Sequence, residues 1–419
     1  MKKVIVSVLV VLLAATTVFA GGSKAGSGAA SGTLKVGIWD QNQAGGITKV
    51  LADFTAETGI KTQVEVTPWN DYWTLLEAAA TGGSLPDVFW MHSNQSQRYM
   101  SNKLLMDLTD RIAKSNVAKM SNFPAEIVSL YALNGRQYAI PKDLDTIALW
   151  YNKKLFTEAG VPFPTDRWTW NDLKDAARKL TNKAKGQYGI LFTPGETQTG
   201  YWNQIYQNGG TVISADKKKS GFDDPRTIAA IDYVVSFVTE GLAPDLTVAE
   251  SDAMALMQGG VVAMAQFGSW SLSGFKANDY FRQNCDLVML PSSNSGQRAT
   301  IYNGLGWSAS ASTKMLEQAW KLLEFLSRED TQRKLSETGI AISAYKGAAD
   351  PFTRGFPEFN VKGYTDQIQY AVMRPYSKNT NVWEDMSVLT LNDVWNGKMA
   401  VADACRSIAQ RMNTMLAAE

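Results

Sequence analysis

The chain has 419 residues and carries 41 lysines and arginines against 40 aspartates and glutamates, a formal net charge of +1. No basic excess exists to hold nucleic acid or an anionic membrane surface, and the length exceeds one ordinary core and suits two lobes. With one histidine and two cysteines, there is no Cys/His cluster of metal spacing and no phosphate-binding loop, so neither a metal nor a cofactor is expected. His92 follows an apolar run and reads as a structural residue rather than a catalytic base.

Lys2 and Lys3 precede an apolar run over 4–19 and then Ala20. That order predicts a secretory signal peptide over 1–20, cut near Ala20, and a periplasmic or extracellular destination. Residues 21–32 are almost all Gly, Ser and Ala, a flexible tether with nothing to bury. Leu34, Val36 and Ile38 then alternate as a strand that ends at Trp39 and delivers a polar loop over 40–43. Ile47, Val50, Leu51 and Phe54 recur at helical spacing up to Gly59, and Val64 and Val66 mark a second strand. A helix through Leu75, Leu76 and Ala79 stops at Gly82-Gly83. Pro86-Asp87 opens a fully apolar strand over 88–91, followed by a second polar loop over 92–95. Strands alternating with helices predict a sheet covered on both faces, whose ligands sit outside the carboxyl ends of the strands.

Residues 138–140 read as a short extended piece, 141–145 as a proline-kinked crossing and 147–151 as a strand. A second α/β segment follows, with strands over 188–192, 260–267 and 286–290 and helices over 201–208 and beyond Pro225. Gly268-Ser269-Trp270 closes the second of those strands. Near Tyr302-Asn303-Gly304 the chain is expected to return to the first lobe, and around 342–345 to cross again before a helical tail. Cys285 falls in a strand-like stretch and Cys405 in a helical one. Export would permit a bond between them, and two buried thiols is the plainer reading.

The stretch YAIPKDLDTIALWYNKKLFTEAGV, with the Trp168-Thr169-Trp170-Asn171-Asp172-Leu173 run after it, resembles the inter-lobe crossing of extracellular solute-binding proteins of sugar ABC transporters, the maltose-binding-protein-like group. Further likenesses are Leu85-Pro86-Asp87-Val88-Phe89-Trp90, Asn208-Gly209-Gly210, Phe222-Asp223-Asp224-Pro225, Gly268-Ser269-Trp270, Gly304-Leu305-Gly306-Trp307 and Val394-Trp395-Asn396-Gly397-Lys398, so the resemblance covers nearly all of 33–419. It implies a periplasmic-binding-protein-like α/β fold of two discontinuous lobes. Residues 33–142 plus 303–343 would form the first and 145–300 plus 346–419 the second, with a three-segment hinge near 141–145, 300–304 and 342–346. It also implies a monomer that captures a neutral sugar or oligosaccharide by lobe closure and delivers it to a membrane ABC permease, without catalysis.

Carried over by position, the ligand contacts would be Asp40 and Asn42, Asn94 and Gln95, the hinge residue Asp145, and the aromatic residues Trp202, Trp270 and Trp383. Asn208, Asn303 and Gly304 lie beside these on strand or helix ends. The first lobe would then give mostly polar contacts and the second mostly aromatic ones. The chemistry suits a sugar, because indole rings cover C–H faces while carboxylates and amides meet hydroxyls. Trp168, Trp170, Trp320 and Trp395 sit inside helical patterns and read as core. Three rivals stay open. A secreted carbohydrate-active enzyme needs a second carboxylate facing Asp145, for which Asp40 is the one on offer. A polyamine-binding protein would use the tryptophans as a cation cage. A binder of phosphorylated polyols would turn Arg374 or Lys142 inward.

Overall fold

Leu34, Val36 and Ile38 are fully buried along β1 (Thr33–Ile38), the period-two pattern of a strand with one face in a core. The computed structural model describes residues 32–419 apart from residue 340. The expected signal peptide and all but the last residue of the tether lie outside the described residues. In α1 (Gln41–Thr58), Ile47, Val50, Leu51 and Phe54 form the buried stripe, and the helix ends where Gly59 turns to φ 72° and returns its N–H to Thr55. The strand β2 (Lys61–Val66) lies parallel to β1, with Val36 opposite Val64. After α2 (Trp69–Gly82) comes β3 (Val88–Met91), buried at every residue and also parallel to β1. Then follow α3 (Ser93–Ser101), the short hairpin β4 (Ala132–Leu133) and β5 (Arg136–Gln137), and β6 (Ala139–Pro141).

The chain next runs through β7 (Asp143–Leu144) into β8 (Ile147–Asn152), which is buried throughout. It is the centre of a second sheet, flanked antiparallel by β9 (Met264–Gly268) and β10 (Cys285–Met289). A short strand β11 (Thr300–Tyr302) leads to β12 (Gly306–Ala309), which enters the first sheet between β3 and β6. Trp307 there faces Trp90 on one side and Ile140 on the other, so the first sheet is completed by a segment more than two hundred residues from its start. Finally β13 (Ile342–Ser343) pairs with β7, and β14 (Ala371–Met373) lies parallel to β11.

The three crossing segments lie side by side. Asp143 is opposite Ser343, Leu144 opposite Ile342, and Asp145 bridges Asn303. Separate apolar cores back the two sheets: one holds Phe54, Trp90 and Trp307, another Trp202, Ile231 and Trp383. Helix α1 also touches the helix Leu272–Ala277, and α3 touches the helix Thr380–Trp395, so elements of the two sheets meet across the space between them.

Two local expectations change, and the plainer reading of the cysteines holds. Both polar loops after β1 and β3 are first turns of helices. Asp40 caps α1 by accepting from the Asn42 N–H, and the ring of His92 caps α3 by accepting from the Asn94 N–H. Residues 188–192 form only single bridges at Tyr188 and Leu191. Gly189 runs so close to the helix Trp170–Leu180 that a Cβ there would stand 2.2 Å from the Ala177 carbonyl oxygen, and both Gly189 and Ile190 donate to Leu242 rather than to a strand. Cys285 and Cys405 are buried and unpaired. They belong to different apolar clusters, and burial pushes each thiol up to about 12.

Candidate functional site

The carboxyl ends of β1, β3 and β9 and the β7 crossing converge on a cavity of about 920 Å³. One wall is aromatic. Trp39, directly after β1, meets Trp69 at the start of α2 edge to face, with ring centres 5.2 Å apart. Tyr72 and Trp90 brace Trp39 from behind at 5.1 and 5.0 Å, and His92 packs on Trp69 at 5.3 Å. Such edge-to-face contacts fix ring orientation as well as burying area. Proline precedes Trp69 and supplies the start of α2 without a side-chain cap.

Trp270 supplies the aromatic group from the other sheet. It sits in the 3-10 turn Ser269–Ser271 after β9, partly buried and lining the cavity. Its ring lies across the backbone of Gly268: a Cβ at Gly268 would stand 2.1 to 2.3 Å from three of its carbons. The Gly268 backbone has φ −79°, which any residue can adopt, so the glycine is required by the ring and not by the chain.

Polar groups fill the space between the aromatic walls. Asp145 anchors the crossing: its N–H donates to the Asn303 carbonyl at 2.9 Å and its Oδ1 accepts from Gln198 Nε2 at 2.6 Å. Burial, and then the nearby Asp143 charge, push its carboxyl up to about 7. Asp143 is itself neutralised by Lys142, which lies over the Trp90 ring at 4.3 Å and is 2% exposed. Lys142 is thus committed to the first sheet and does not line the cavity. Arg374 does line it, ion-paired with Glu384 and lying over the Trp202 ring. Among the described residues, Nε and Nη1 of Arg374, Oε2 of Glu384, Nε2 of Gln266 and Oγ of Ser269 have no hydrogen-bond partner, and all four residues line the cavity. Buried polar atoms of that kind call for a partner. His92 stays neutral, because desolvation and the Arg374 charge push its pKa down to about 3. Its Nδ1 accepts from Asn94, and its Nε2 lies 3.0 Å from the Asn303 side-chain amide.

Of the expected contacts, Asp40, Asn94, Asp145 and Trp270 line the cavity together. Asn42 is exposed on α1 and faces Gly274 of the helix Leu272–Ala277. Gln95 is buried beneath α3. Trp202 and Trp383 are fully buried and stacked with ring centres 6.0 Å apart, and Trp383 donates its Nε1–H to Ser377. Asn208 donates to the Arg226 carbonyl at the end of its helix. Asn303 and Gly304 belong to the crossing, where a Cβ on Gly304 would stand 2.2 Å from the Asp143 carbonyl oxygen. Sequence reasoning missed Trp39, Trp69, Gln198 and Gln266. Trp39 carried a usable signal, standing at a strand end as Trp270 does, whereas nothing in the sequence placed Gln198 opposite Asp145.

The sequence pattern of bacterial extracellular solute-binding proteins matches residues 40–333. The diacetylchitobiose-binding protein DasA of Streptomyces coelicolor is 28% identical over 262 residues, which span 61% of this chain and 58% of that protein. An ABC substrate-binding protein from Listeria monocytogenes, solved with cycloalternan, superposes with a TM-score of 0.84 at 24% identity over 92% of this chain and 98% of that one. A solute-binding protein from Thermotoga lettingae, bound with alpha-D-tagatose, gives 0.80 at 22% identity over 92% and 100%. These likenesses agree with the two-lobed α/β fold.

Proposed function

The chain belongs to the bacterial extracellular solute-binding proteins, and from that premise we propose that it captures a sugar or short oligosaccharide between its two lobes and hands it to an ABC permease. The first lobe would comprise 33–142 plus 303–343 and the second 145–300 plus 346–419, turning about the paired segments near 141–145, 300–304 and 342–346. The observation that carries this reading is the cavity, with Trp39 and Trp69 on one side, Trp270 on the other and carboxylates and amides between. Indoles on opposing lobes suit the two faces of a pyranose, and Asp40, Asn94 and Asp145 suit its hydroxyl rim. The relative named for binding diacetylchitobiose supports the same class. A cavity of about 920 Å³ lies near the top of the roughly 300–1,000 Å³ range of small-molecule sites, which favours more than one ring.

Closure follows from the split of contacts. A ligand touching both walls favours the form in which both are in reach. Residues of the mature chain need perform no chemistry: His92 is neutral and used as a cap, and Asp145 is held by Gln198. An exported location follows from the same reading, and no helix among the described residues is long and apolar enough to cross a membrane. A phosphorylated ligand would find one guanidinium in the cavity, that of Arg374, whose charge Glu384 already offsets while its Nε and Nη1 stay without partners.

A thermal-shift screen of the purified protein against mono-, di- and oligosaccharides, polyamines and glycerol phosphates tests this. A ligand that binds only the folded form raises the midpoint with concentration. We expect a saccharide to do so and its mass to stay unchanged. Hydrolysis of the saccharide would establish the enzyme rival, and a shift with phosphates alone would overturn the carbohydrate reading.

A further inference from the structure

The helix Thr380–Trp395 turns Glu384, Asp385, Val388 and Leu389 to the cavity. Those positions share one helix face, and its chemistry changes within a single turn of about 5.4 Å. At one end Glu384 is 8% exposed. Its Oε1 accepts from Thr197 Oγ1 at 2.6 Å and pairs with Arg374, while its Oε2 has no hydrogen-bond partner. At the other end Val388 is partly buried and Leu389 is 69% exposed, the most exposed large hydrophobic side chain among the described residues. The face therefore runs from a buried polar end to an apolar mouth. Ala253, which opens the helix Ala253–Gln258, adds an apolar group to the same cavity from a separate segment. A leucine on open surface is ordinary. Leu389 differs because it is continuous with the cavity and stands one turn beyond an unpartnered oxygen that calls for a ligand hydroxyl. Val382 is the contrast: it is 46% exposed on the same helix and lies outside the cavity lining.

We propose that the mouth is a second subsite, for an apolar substituent, and that the preferred ligand is an aryl glycoside. Its sugar ring would lie between the tryptophans and its aryl group over Val388, Leu389 and Ala253. This rests on the carbohydrate reading and narrows it from the neutral sugar that the resemblance implies. The ring hydroxyls meet Oε2 of Glu384 and the free donors of Arg374. One turn further out, the side chains of Val388, Leu389 and Ala253 offer no donor or acceptor, so a second hydroxylated ring would gain little there. An aryl group removes the same surface from water. A partner protein or a second copy of the chain would cover Val382 along with Leu389, whereas the ligand covers Leu389 alone.

The test is calorimetric titration with matched methyl and phenyl glycosides, both anomers, of glucose, galactose and N-acetylglucosamine, beside the free sugars. We expect the phenyl glycoside of a sugar that binds to be about tenfold tighter than its methyl counterpart. Leu389→Ser, at an exposed position, should bring that ratio close to one, and Val382→Ser should leave the ratio as it is. Phenyl and methyl glycosides of equal affinity, or an advantage that survives Leu389→Ser, would overturn this proposal and leave the carbohydrate reading standing. So would a free sugar that binds while its glycosides fail. An advantage lost equally in both variants, or self-association of the empty protein that Leu389→Ser abolishes in sedimentation, would make the patch a protein contact and overturn the subsite. Failure of every sugar and glycoside would overturn the carbohydrate reading itself.

Discussion

The two walls of the cavity are built on opposite plans. On the side of the first sheet, Trp39 and Trp69 are locked by Tyr72, Trp90 and His92, and the one nearby cation, Lys142, is spent on Asp143 and the Trp90 face. On the side of the second sheet one tryptophan, Trp270, rests on a glycine, and the wall carries the charged groups Glu196, Arg374, Glu384 and Asp385 among neutral residues such as Gln198, Gln266 and Val388. The first wall is a rigid platform and the second a charged, lightly braced cover. If the lobes close as proposed, this division would let the platform fix the ring while the cover reads the polar groups.

The comparison can be broken most forcefully at its rigid end. Replacing Lys142 with alanine leaves Asp143 buried beside Asp145 without its partner, which should cost about 3–5 kcal/mol in urea unfolding. An undiminished midpoint would show that the pair does not hold the crossing. Trp39→Ala removes a ring that touches five aromatic neighbours and should lose on the order of 3 kcal/mol of stability along with most ligand affinity. Trp270→Ala, at a partly exposed position, should lose affinity while the melting temperature of the empty protein stays nearly constant. Equal stability losses in the two variants would erase the distinction between platform and cover.

A pH measurement sharpens the hinge between the walls. The Asp145 carboxyl is raised from 3.8 to about 7, so in the folded protein it keeps its proton across a range in which the unfolded chain has lost it. Its contribution therefore favours folding at low pH and is lost as pH rises from about 4 to 7, the reverse of a salt-bridged carboxylate. His92, lowered to about 3, acts in the opposite sense, losing stability as pH falls from 6.5 towards 3. Comparing Asp145→Asn with the parent isolates the first term. The variant should gain about 2 kcal/mol relative to the parent on going from pH 5 to pH 8, read from unfolding midpoints without ligand; no change would mean that Asp145 is ionised at neutral pH. The smallest effect is expected for Gly268→Ala, which displaces the Trp270 ring: affinity should fall several-fold, with a changed tryptophan emission and a stable fold.

Most of the architecture was legible because it depends on periodicity. The alternation of Leu34, Val36 and Ile38 and the helical stripe of Ile47, Val50, Leu51 and Phe54 each fix an element locally, and both sheets follow from such signals. The starts of α1 and α3 were not, because each depends on a single capping side chain, Asp40 or His92, in a run that reads equally well as a polar loop. In the site, Asp40, Asn94, Asp145 and Trp270 were legible as polar or aromatic groups at strand ends and the crossing. Trp202 and Trp383 were not separable from them by type alone, since their burial is set by the helices stacked around them. Arg374 and Gln198 come from segments distant in sequence, and only the fold brings them to the hinge.

The account turns on one ligand bridging both walls. Calorimetric titration of its saccharide into the parent, Trp39→Ala, Trp270→Ala and the double variant is the most direct measurement of that. The account predicts that each single substitution weakens binding by more than about 1 kcal/mol and that both together abolish it. Binding that depends on one tryptophan and is indifferent to the other would contradict capture between the lobes.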